Sequence, residues 1–258
     1  MPYTLLISPR LADRRIWGDI PARLAGQSET VFCDRYPASA AGLPVDLGIR
    51  KLLPADRSAF DVVAGAEDAA RLAVGLVLDG LANGLVLFQP VLDAIPPELE
   101  PADLSGLEER ARLSAPLVAA VDEPDPAAWE SLVADVVDQA IGIHLTPNDA
   151  ALVRDVISSH AGELQRELQD AIAARSRGQG RQAPADAPGR WIDRLREVPV
   201  PVVILSTHQG FRVAEVLAAR APHGHALLAR GEAGIPWLED RDKAVAILAD
   251  VVKRSAQP

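Results

Sequence analysis

Residues 60–90, FDVVAGAEDAARLAVGLVLDGLANGLVLFQP, decide the fold of this chain. Residues 61–64 form a short, Val-rich apolar run that is typical of a buried strand, and residues 85–88 form a second one. Between the two runs, residues 71–79 place apolar side chains at helical spacing before Gly80. This order predicts a strand, a sharp turn, a helix and a second, parallel strand, which together make a βαβ unit.

The sharp turn of this unit contains two carboxylates among small residues. In residues 65–69 (GAEDA) and in residues 66–70 (AEDAA), small residues stand two positions before and two positions after an acid. Small residues at these positions let the chain reverse so sharply that the central side chain stands exposed above the sheet. Both registers satisfy this rule, so the sequence leaves open whether Glu67 or Asp68 occupies the centre of the turn.

Length and composition indicate one large α/β domain with an insertion. The chain has 258 residues, of which 48% are hydrophobic and 24% charged, and this composition supports a sizeable core. The formal net charge of −10 argues against a nucleic-acid partner, which requires a basic face. No apolar run approaches the roughly 18–20 residues of a membrane span, and residues 1–10 do not resemble a signal peptide. We therefore expect a cytoplasmic protein without membrane contact.

Strands and helices alternate at both ends of the chain, and a helical block separates the two ends. Further strands are predicted at residues 3–7, 30–33, 200–205 and 225–229, and helices at residues 16–24, 45–52, 191–196, 213–220 and 242–254. Residues 93–190 show no strand pattern but several helical ones, at residues 127–141, 147–160 and 161–175, followed by a Gly/Pro/Ala-rich flexible linker at residues 176–189.

This alternation predicts a mostly parallel sheet with helices on both faces. We expect a core formed by residues 1–92 and 191–258, and a helical cap formed by residues 93–190. Ligands of such sheets bind beyond the carboxyl ends of the strands. A cap that enters after residues 85–88 would therefore cover the ligand edge.

Four segments together resemble the α/β-hydrolase superfamily. They are TLLISP (residues 4–9) with Trp17, VFCDRYP (residues 31–37), VVAGAEDAA (residues 62–70), and VPVVILSTHQG (residues 200–210) with GIPWLED (residues 234–240). The resemblance implies an α/β fold with a mostly parallel sheet of the α/β-hydrolase type and a helical cap insertion. It covers nearly the whole sheet, whereas the cap is too variable to compare.

The chain departs from the superfamily pattern at every chemical position. By the resemblance, the nucleophile position holds Glu67 or Asp68, the position of the triad acid falls near Gln209 beside His208, and the histidine position falls on Gly234. Proline has no N–H to offer an oxyanion, and Ser8-Pro9 replaces the usual His-Gly of the oxyanion loop. Because triad chemistry needs a base and a group that orients it, ordinary serine-hydrolase activity is not expected.

The leading hypothesis is a non-hydrolytic enzyme, namely a lyase, isomerase or cyclase of specialised metabolism, that acts on a small hydrophobic metabolite. Glu67 or Asp68 would serve as the acid/base, and His208 would assist. Ligand contacts are expected from Ser8, Pro9, Gln89, Thr207, Gln209, His144 and Trp237. We expect no metal and no cofactor, and the chain has no dinucleotide fingerprint.

Two alternatives stay open at this point. The first is a catalytically inactive pseudo-hydrolase that binds a ligand or a partner protein. The second is a hydrolase with a carboxylate nucleophile, of the epoxide or halide type, which requires a histidine within reach of the turn. Homodimer formation is compatible with the sequence, but no feature of it specifies a dimer.

Overall fold

Six parallel strands form one sheet in the order β2-β1-β3-β4-β5-β6. The structure, a computed structural model, describes residues 1–9, 12–34, 49–92, 95–141, 144–176 and 191–255. The strands are β1 (Tyr3–Ile7), β2 (Glu29–Cys33), β3 (Val62–Ala66), β4 (Leu85–Phe88), β5 (Val202–Ser206) and β6 (Gly224–Leu228). All six predicted strands are present, and the α/β class with a parallel sheet is confirmed.

Helices cover both faces of this sheet. They are α1 (Ile20–Leu24), α2 (Ala70–Leu78), α3 (Ser105–Ala119), α4 (Pro126–Ile141), α5 (Pro147–Ser158), α6 (Ala161–Ser176), α7 (Trp191–Arg194), α8 (Phe211–Arg220), α9 (Pro236–Glu239) and α10 (Arg241–Ser255). Of the predicted linker at residues 176–189, only Ser176 lies within the described residues. The predicted helix at residues 45–52 lies partly outside them, and its described end is a 3₁₀ turn over Arg50–Leu52.

Side chains of the central strands alternate between two apolar clusters. Val63 and Leu85 belong to the cluster that contains α2, α7 and α8. Val62 and Val86, their neighbours along the chain, belong to the other cluster, which contains α1 and α10. All residues of β3 and β4 are buried. This two-sided burial explains why the sequence shows continuous apolar runs at these strands.

The single helix that the sequence predicts over residues 16–24 is interrupted. A 3₁₀ turn over Arg14–Trp17 comes first, Gly18 adopts a left-handed conformation with φ of 55°, and α1 then begins at Ile20. Glycine adopts such a conformation without a steric penalty. Pro21 follows in the first turn of α1, where its missing N–H has no helical partner in any case.

Helices α3 to α6 lie in the chain between β4 and β5, and two of them pack against turns that follow the carboxyl ends of strands. Helix α5 packs against the 3₁₀ turn Arg14–Trp17, which follows β1. Helix α3 packs against a 3₁₀ turn over His208–Gly210, which follows β5. That these helices form a cap over the ends of β3 and β4 stays a prediction.

The inserted helices share an apolar cluster with the sheet. Trp129 of α4 is buried in the cluster that contains Phe88 of β4, and its indole Nε1 donates a 2.7 Å hydrogen bond to the carbonyl of Ala161. The division of the chain at residues 92 and 191 stays a prediction. Within the described ranges, no helix is both long and apolar enough to cross a membrane.

Candidate functional site

The structure resolves the register of the sharp turn. Strand β3 ends at Ala66, and Glu67 adopts φ of 52°. Asp68 follows in a 3₁₀ turn that leads directly into α2, and it does not have a positive φ. Glu67 is therefore the residue at the centre of the turn, and its side chain is half-buried.

Gly65 makes this turn possible. A Cβ atom at this position would lie 2.9 Å from Cβ of Ala73 and 3.0 Å from the carbonyl oxygen of Ala69. Both distances are too short for an ordinary contact, so the helix can approach the strand this closely only over a glycine. The requirement for a small residue two positions before the acid is thus explained by steric contact with the helix.

Glu67 carries backbone strain at the edge where ligands bind in such sheets. A residue other than glycine with a left-handed backbone costs about 1–3 kcal/mol. The turn is held by a hydrogen bond of 3.1 Å from the backbone N–H of Val91 to the carbonyl of Glu67. A negative charge at this position is also favoured by the N-terminal end of the following helix.

Gln89, at the end of β4, lies beside this turn and is buried. Its side-chain Oε1 accepts hydrogen bonds from Ser206 Oγ at 2.7 Å and from the backbone N–H of Thr207 at 3.0 Å. The predicted ligand contacts Gln89 and Thr207 are therefore brought together by the fold and bind each other.

His208 and Gln209 lie in the 3₁₀ turn immediately after Thr207, and both are exposed. The turn packs against α3 and against a 3₁₀ turn over Pro101–Leu104. The structure thus places His208 at the predicted edge of the sheet, on a surface that solvent reaches. Its participation in catalysis stays a prediction.

Ser8, at the end of β1, is fully buried. Its hydroxyl donates a 2.9 Å hydrogen bond to Asp34 Oδ1 and accepts one of 3.3 Å from Trp17 Nε1. Pro9 is also buried, and its carbonyl accepts a hydrogen bond from the N–H of Ala12. The hydroxyl of Ser8 therefore joins the ends of β1 and β2 and holds the loop that follows β1.

Trp237 packs between the loops that follow β1 and β6. Its ring lies 5.6 Å from the ring of Trp17 and 6.0 Å from that of Phe88, between ring centroids. Its Nε1 donates a 2.9 Å hydrogen bond to the carbonyl of Ile16, and only 1% of the residue is exposed. The predicted ligand contact Trp237 is thus a core residue at the base of the site.

The loop after β6 is built around a carboxylate. Glu239 accepts hydrogen bonds from the N–H groups of Ala233 at 2.7 Å and Ile235 at 2.9 Å. Between these residues, Gly234 is buried and has φ of 76°. The position that the resemblance gives to the triad histidine is therefore a left-handed glycine inside a braced loop.

His144 lies just before α5 and reaches the same loop. Its Nδ1 is 3.7 Å from Oε2 of Glu232, a carboxylate whose side chain is 70% exposed. The structure thus places His144 where the inserted helices meet the loop after β6. A ligand contact from His144 stays a prediction.

Polar clamps between the inserted helices and the core were missed by the sequence analysis. Arg15, in the turn after β1, pairs with Asp155 of α5 at 2.5 Å and donates to Ser159 Oγ at 3.0 Å. It also contacts Asp13, and this hydrogen bonding holds the pKa of the Asp13 carboxyl below its ordinary value. His160 is buried beside them, with Nε2 3.5 Å from Asp13 Oδ2.

A second clamp holds the other end of α5. Arg241, at the start of α10, forms an ion pair with the buried carboxylate of Asp149, and its Nε lies 3.3 Å from Asp19. Asp149 also accepts a 2.7 Å hydrogen bond from Thr146 Oγ1, which caps α5. The Thr-x-x-Asp spacing fits the helix start, which the sequence analysis places at residue 147. Helix α5 is thus fixed to the core at both ends.

Among the described residues, the side chains that could bind a metal are dispersed, and the thiol of Cys33 is partly buried. No group of three or more His, Cys, Asp or Glu side chains among them could hold a metal ion. Burial raises the pKa of the Cys33 thiol to about 11, so this side chain is protonated near neutral pH.

Comparison with solved structures identifies the architecture. MenH from S. aureus is 17% identical with a TM-score of 0.68, and the alignment covers 99% of this chain and 95% of that one. The 2-hydroxy-6-oxo-6-phenylhexa-2,4-dienoate hydrolase (BphD) from Rhodococcus sp. strain RHA1 is 16% identical with a TM-score of 0.63, covering 98% of this chain and 90% of that one. The enol-lactonase from Burkholderia xenovorans LB400 is 14% identical with a TM-score of 0.59, covering 98% and 91%.

Neither the family models nor the curated protein sequences match this chain. At the identities found, the structural similarity shows the fold. The chain has the α/β-hydrolase fold, as the resemblance in the sequence implies.

Proposed function

We propose that this α/β-hydrolase-fold protein is an enzyme that uses Glu67 as a general acid/base on a small hydrophobic metabolite. The reaction is non-hydrolytic, of the lyase, isomerase or cyclase class, and belongs to specialised metabolism in the cytoplasm. The observation that carries this proposal is the positive φ of Glu67, 52°, at the ligand edge of the sheet. Residues that are neither glycine nor asparagine keep such a conformation where the surrounding structure imposes it, and such sites are frequently functional.

The groups around Glu67 support acid/base chemistry rather than triad hydrolysis. Acyl transfer through a triad needs a hydroxyl or thiol nucleophile, a histidine base and donors for an oxyanion. Here the turn carries a carboxylate, the loop after β6 carries Gly234, and Pro9 contributes no N–H. A carboxylate can still transfer protons to and from carbon or oxygen, which typically accelerates a reaction by about 10²–10⁴-fold.

The position of the inserted helices also supports an enclosed reaction. Helix α5 is clamped over the end of β1, and α3 lies beside the turn after β5. Glu67, which directly follows β3 and so lies between these two strands, is half-buried. A ligand held there would be shielded from water, which strengthens electrostatic interactions with the carboxylate and suppresses hydrolysis.

The solved structures with this fold suggest the substrate class for a first screen. Two of them are described as acting on an enol-lactone and on a 2-hydroxy-6-oxo-dienoate. We extend to this chain only the shared chemistry, an enolisable carbonyl compound with an apolar portion. A carboxylate base is suited to proton removal next to such a carbonyl.

The test is a substrate panel with two matched variants. Wild type, Glu67→Gln and Asp68→Asn are incubated with enolisable ketones, β-keto esters and unsaturated oxo acids, and products are followed by mass spectrometry in ¹⁸O-labelled water. We expect turnover without ¹⁸O incorporation, a loss of about 10²-fold or more for Glu67→Gln, and near wild-type rates for Asp68→Asn. Full activity of Glu67→Gln, or ¹⁸O in the product, would contradict the proposal.

A second candidate function, ligand binding without catalysis, is favoured by the polar groups at the sheet edge. Ser8, Gln89 and Thr207 are buried and bound to protein partners, and His208 is exposed. A pseudo-hydrolase would show thermal stabilisation by panel compounds without product formation. It would also bind them equally well in wild type and Glu67→Gln.

The carboxylate-nucleophile alternative makes a separate prediction. Attack of the Glu67 carboxylate on a haloalkane would release halide, and attack on an epoxide would open the ring, with the alkoxide taking a proton from water; intact-protein mass spectrometry would detect the ester. Since release of this ester needs an activated water, the adduct should accumulate if His208 does not reach it. Absence of both an adduct and a hydrolysed product across such compounds excludes this alternative for the panel.

A further inference from the structure

Two residues other than glycine adopt a positive φ in the described part of the chain, and they are neighbours. Glu67 has φ of 52° and Gln89 has φ of 46°. Ala66 and Phe88, the residues just before them, are paired across β3 and β4. The two strained residues therefore leave adjacent strands at the same level of the sheet edge.

The strained backbone of Gln89 supports that of Glu67. The N–H of Gln89 still continues the sheet, donating to the carbonyl of Leu205 on β5 at 2.9 Å. Two residues later, the N–H of Val91 donates to the carbonyl of Glu67 at 3.1 Å. The turn at Gln89 thus directs the chain back across the end of β3, where it binds the backbone of the acid itself.

The side chain of Gln89 binds the segment that follows β5, on the other side of Gln89 from the turn of the acid. Its Oε1 accepts hydrogen bonds from Ser206 Oγ at 2.7 Å and from the N–H of Thr207 at 3.0 Å. Thr207 is the residue at which the turn carrying His208 begins. The side chain of Gln89 therefore binds the start of the turn that carries the histidine. The chain that follows Gln89 binds the turn of the acid, through the N–H of Val91.

Gly210 shows how closely this amide is packed. A Cβ atom at Gly210 would lie 2.3 Å from Nε2 of Gln89 and 2.6 Å from Ser206 Oγ. The backbone of Gly210 has φ of −113°, which any residue can adopt. The absence of a side chain at this position is therefore needed for the approach of the Gln89 amide, not for the backbone conformation.

We propose that Gln89 is a positioning residue that fixes Glu67 and His208 relative to each other. Its catalytic meaning rests on the function proposed above, in which these two side chains share the chemistry. A leucine at position 89 would keep the bulk of the side chain but remove the acceptor for Ser206 and Thr207. An alanine at position 210 would disturb the same amide without changing Gln89.

The experiment compares Gln89→Leu and Gly210→Ala with wild type, and uses Gly75→Ala as control. Gly75 lies in α2, where an added Cβ would meet no atom within 4 Å. NMR chemical shifts follow the side chains of Glu67 and His208 at a fixed pH, and circular dichroism verifies folding. We expect both variants to change the chemical shifts of both side chains and the control to leave them unchanged.

Kinetics provide the second readout if the panel yields a substrate. We expect kcat to fall by about 10²-fold in Gln89→Leu, because small misplacements of catalytic groups have this effect, while KM changes little. A folded Gln89→Leu and a folded Gly210→Ala with wild-type chemical shifts at Glu67 and His208 and wild-type kcat would overturn the positioning role. If neither variant folds, Ser206→Ala, which removes one of the hydrogen bonds to Gln89, replaces them under the same criteria.

The two proposals fail in different ways. Undiminished turnover by Glu67→Gln would reject the acid/base function, whatever Gln89 does. Lost turnover in Glu67→Gln together with unchanged kcat in Gln89→Leu would reject the positioning role alone. Without a substrate, the chemical shifts of Glu67 and His208 decide the positioning role.

Discussion

Replacing Glu67 by glycine should make the protein more stable. The φ of 52° at Glu67 lies in the left-handed region, which costs a residue with a Cβ about 1–3 kcal/mol. Glycine avoids this cost but loses more conformational entropy on folding, by roughly 0.5–1 kcal/mol. Glycine also gives up the interaction of the half-buried carboxylate with the N-terminal end of the following helix, which contributes roughly 0.3–1 kcal/mol. The midpoints of these ranges leave a net stabilisation of about 0.5 kcal/mol, or a Tm increase of about 1–2 °C for a chain of this size.

Asp68→Gly is the matched control for this prediction. Asp68 is also a half-buried acid and belongs to the same 3₁₀ turn, Glu67–Ala69, but it has no positive φ. Glycine at a helical position is less favourable than other residues by up to about 1 kcal/mol, so this variant should lose stability. Urea denaturation and thermal melting of wild type, Glu67→Gly and Asp68→Gly measure both effects. The free energy of unfolding should therefore rise in Glu67→Gly and fall in Asp68→Gly, each relative to wild type.

The result also tests the function of the turn. A more stable Glu67→Gly without turnover would mean that the protein retains a strained carboxylate at a cost in stability, as functional sites often do. If Glu67→Gly is no more stable than wild type, the strain argument is wrong. If Glu67→Gly is more stable and fully active on a panel substrate, Glu67 is not the acid/base.

Three further changes test other parts of the structure. Gly65→Ala should destabilise the protein by about 1–3 kcal/mol in urea denaturation, because the new Cβ would lie 2.9 Å from Cβ of Ala73. Asp13→Asn should lower stability at pH 7 through loss of the contact with Arg15; since the folded pKa of Asp13 is lowered, the deficit relative to wild type should shrink as pH falls below about 4. Cys33, with a pKa of about 11, should resist alkylation by iodoacetamide at pH 8 in the folded protein and react after denaturation, as mass spectrometry would show.

The sheet could be predicted from the sequence because its strands are buried on both faces. Residues 62–66 and 85–88 are apolar throughout, and a continuous apolar run bounded by glycine or proline has few other interpretations. The break in the helix at residues 16–24 could have been anticipated from Gly18 and Pro21. Helix α3 carries no comparable signal, because Pro116 and a charged first half obscure its periodicity.

The residue types of the site could be predicted, but their contacts could not. Ser8, Gln89 and Thr207 do lie at strand ends, since their strands were correctly placed. Whether each polar group faces a ligand or a neighbouring strand depends on side-chain directions that no local pattern encodes. The clamps formed by Arg15 with Asp155 and by Arg241 with Asp149 join residues 140 and 92 positions apart, so composition and spacing could not reveal them.

The register of the sharp turn shows most clearly what local sequence does not contain. Both acids have small residues on either side, so the small-residue rule cannot choose between them. The choice follows from a long-range fact: Val91, which comes after the next strand, donates its N–H to the carbonyl of Glu67. Gln89, which lies between β4 and Val91, also has a positive φ, which is unusual for glutamine. The conformation of the acid therefore depends on the segment that follows the neighbouring strand. A substitution of Gln89 should alter the conformation of Glu67 more than that of the rest of the fold.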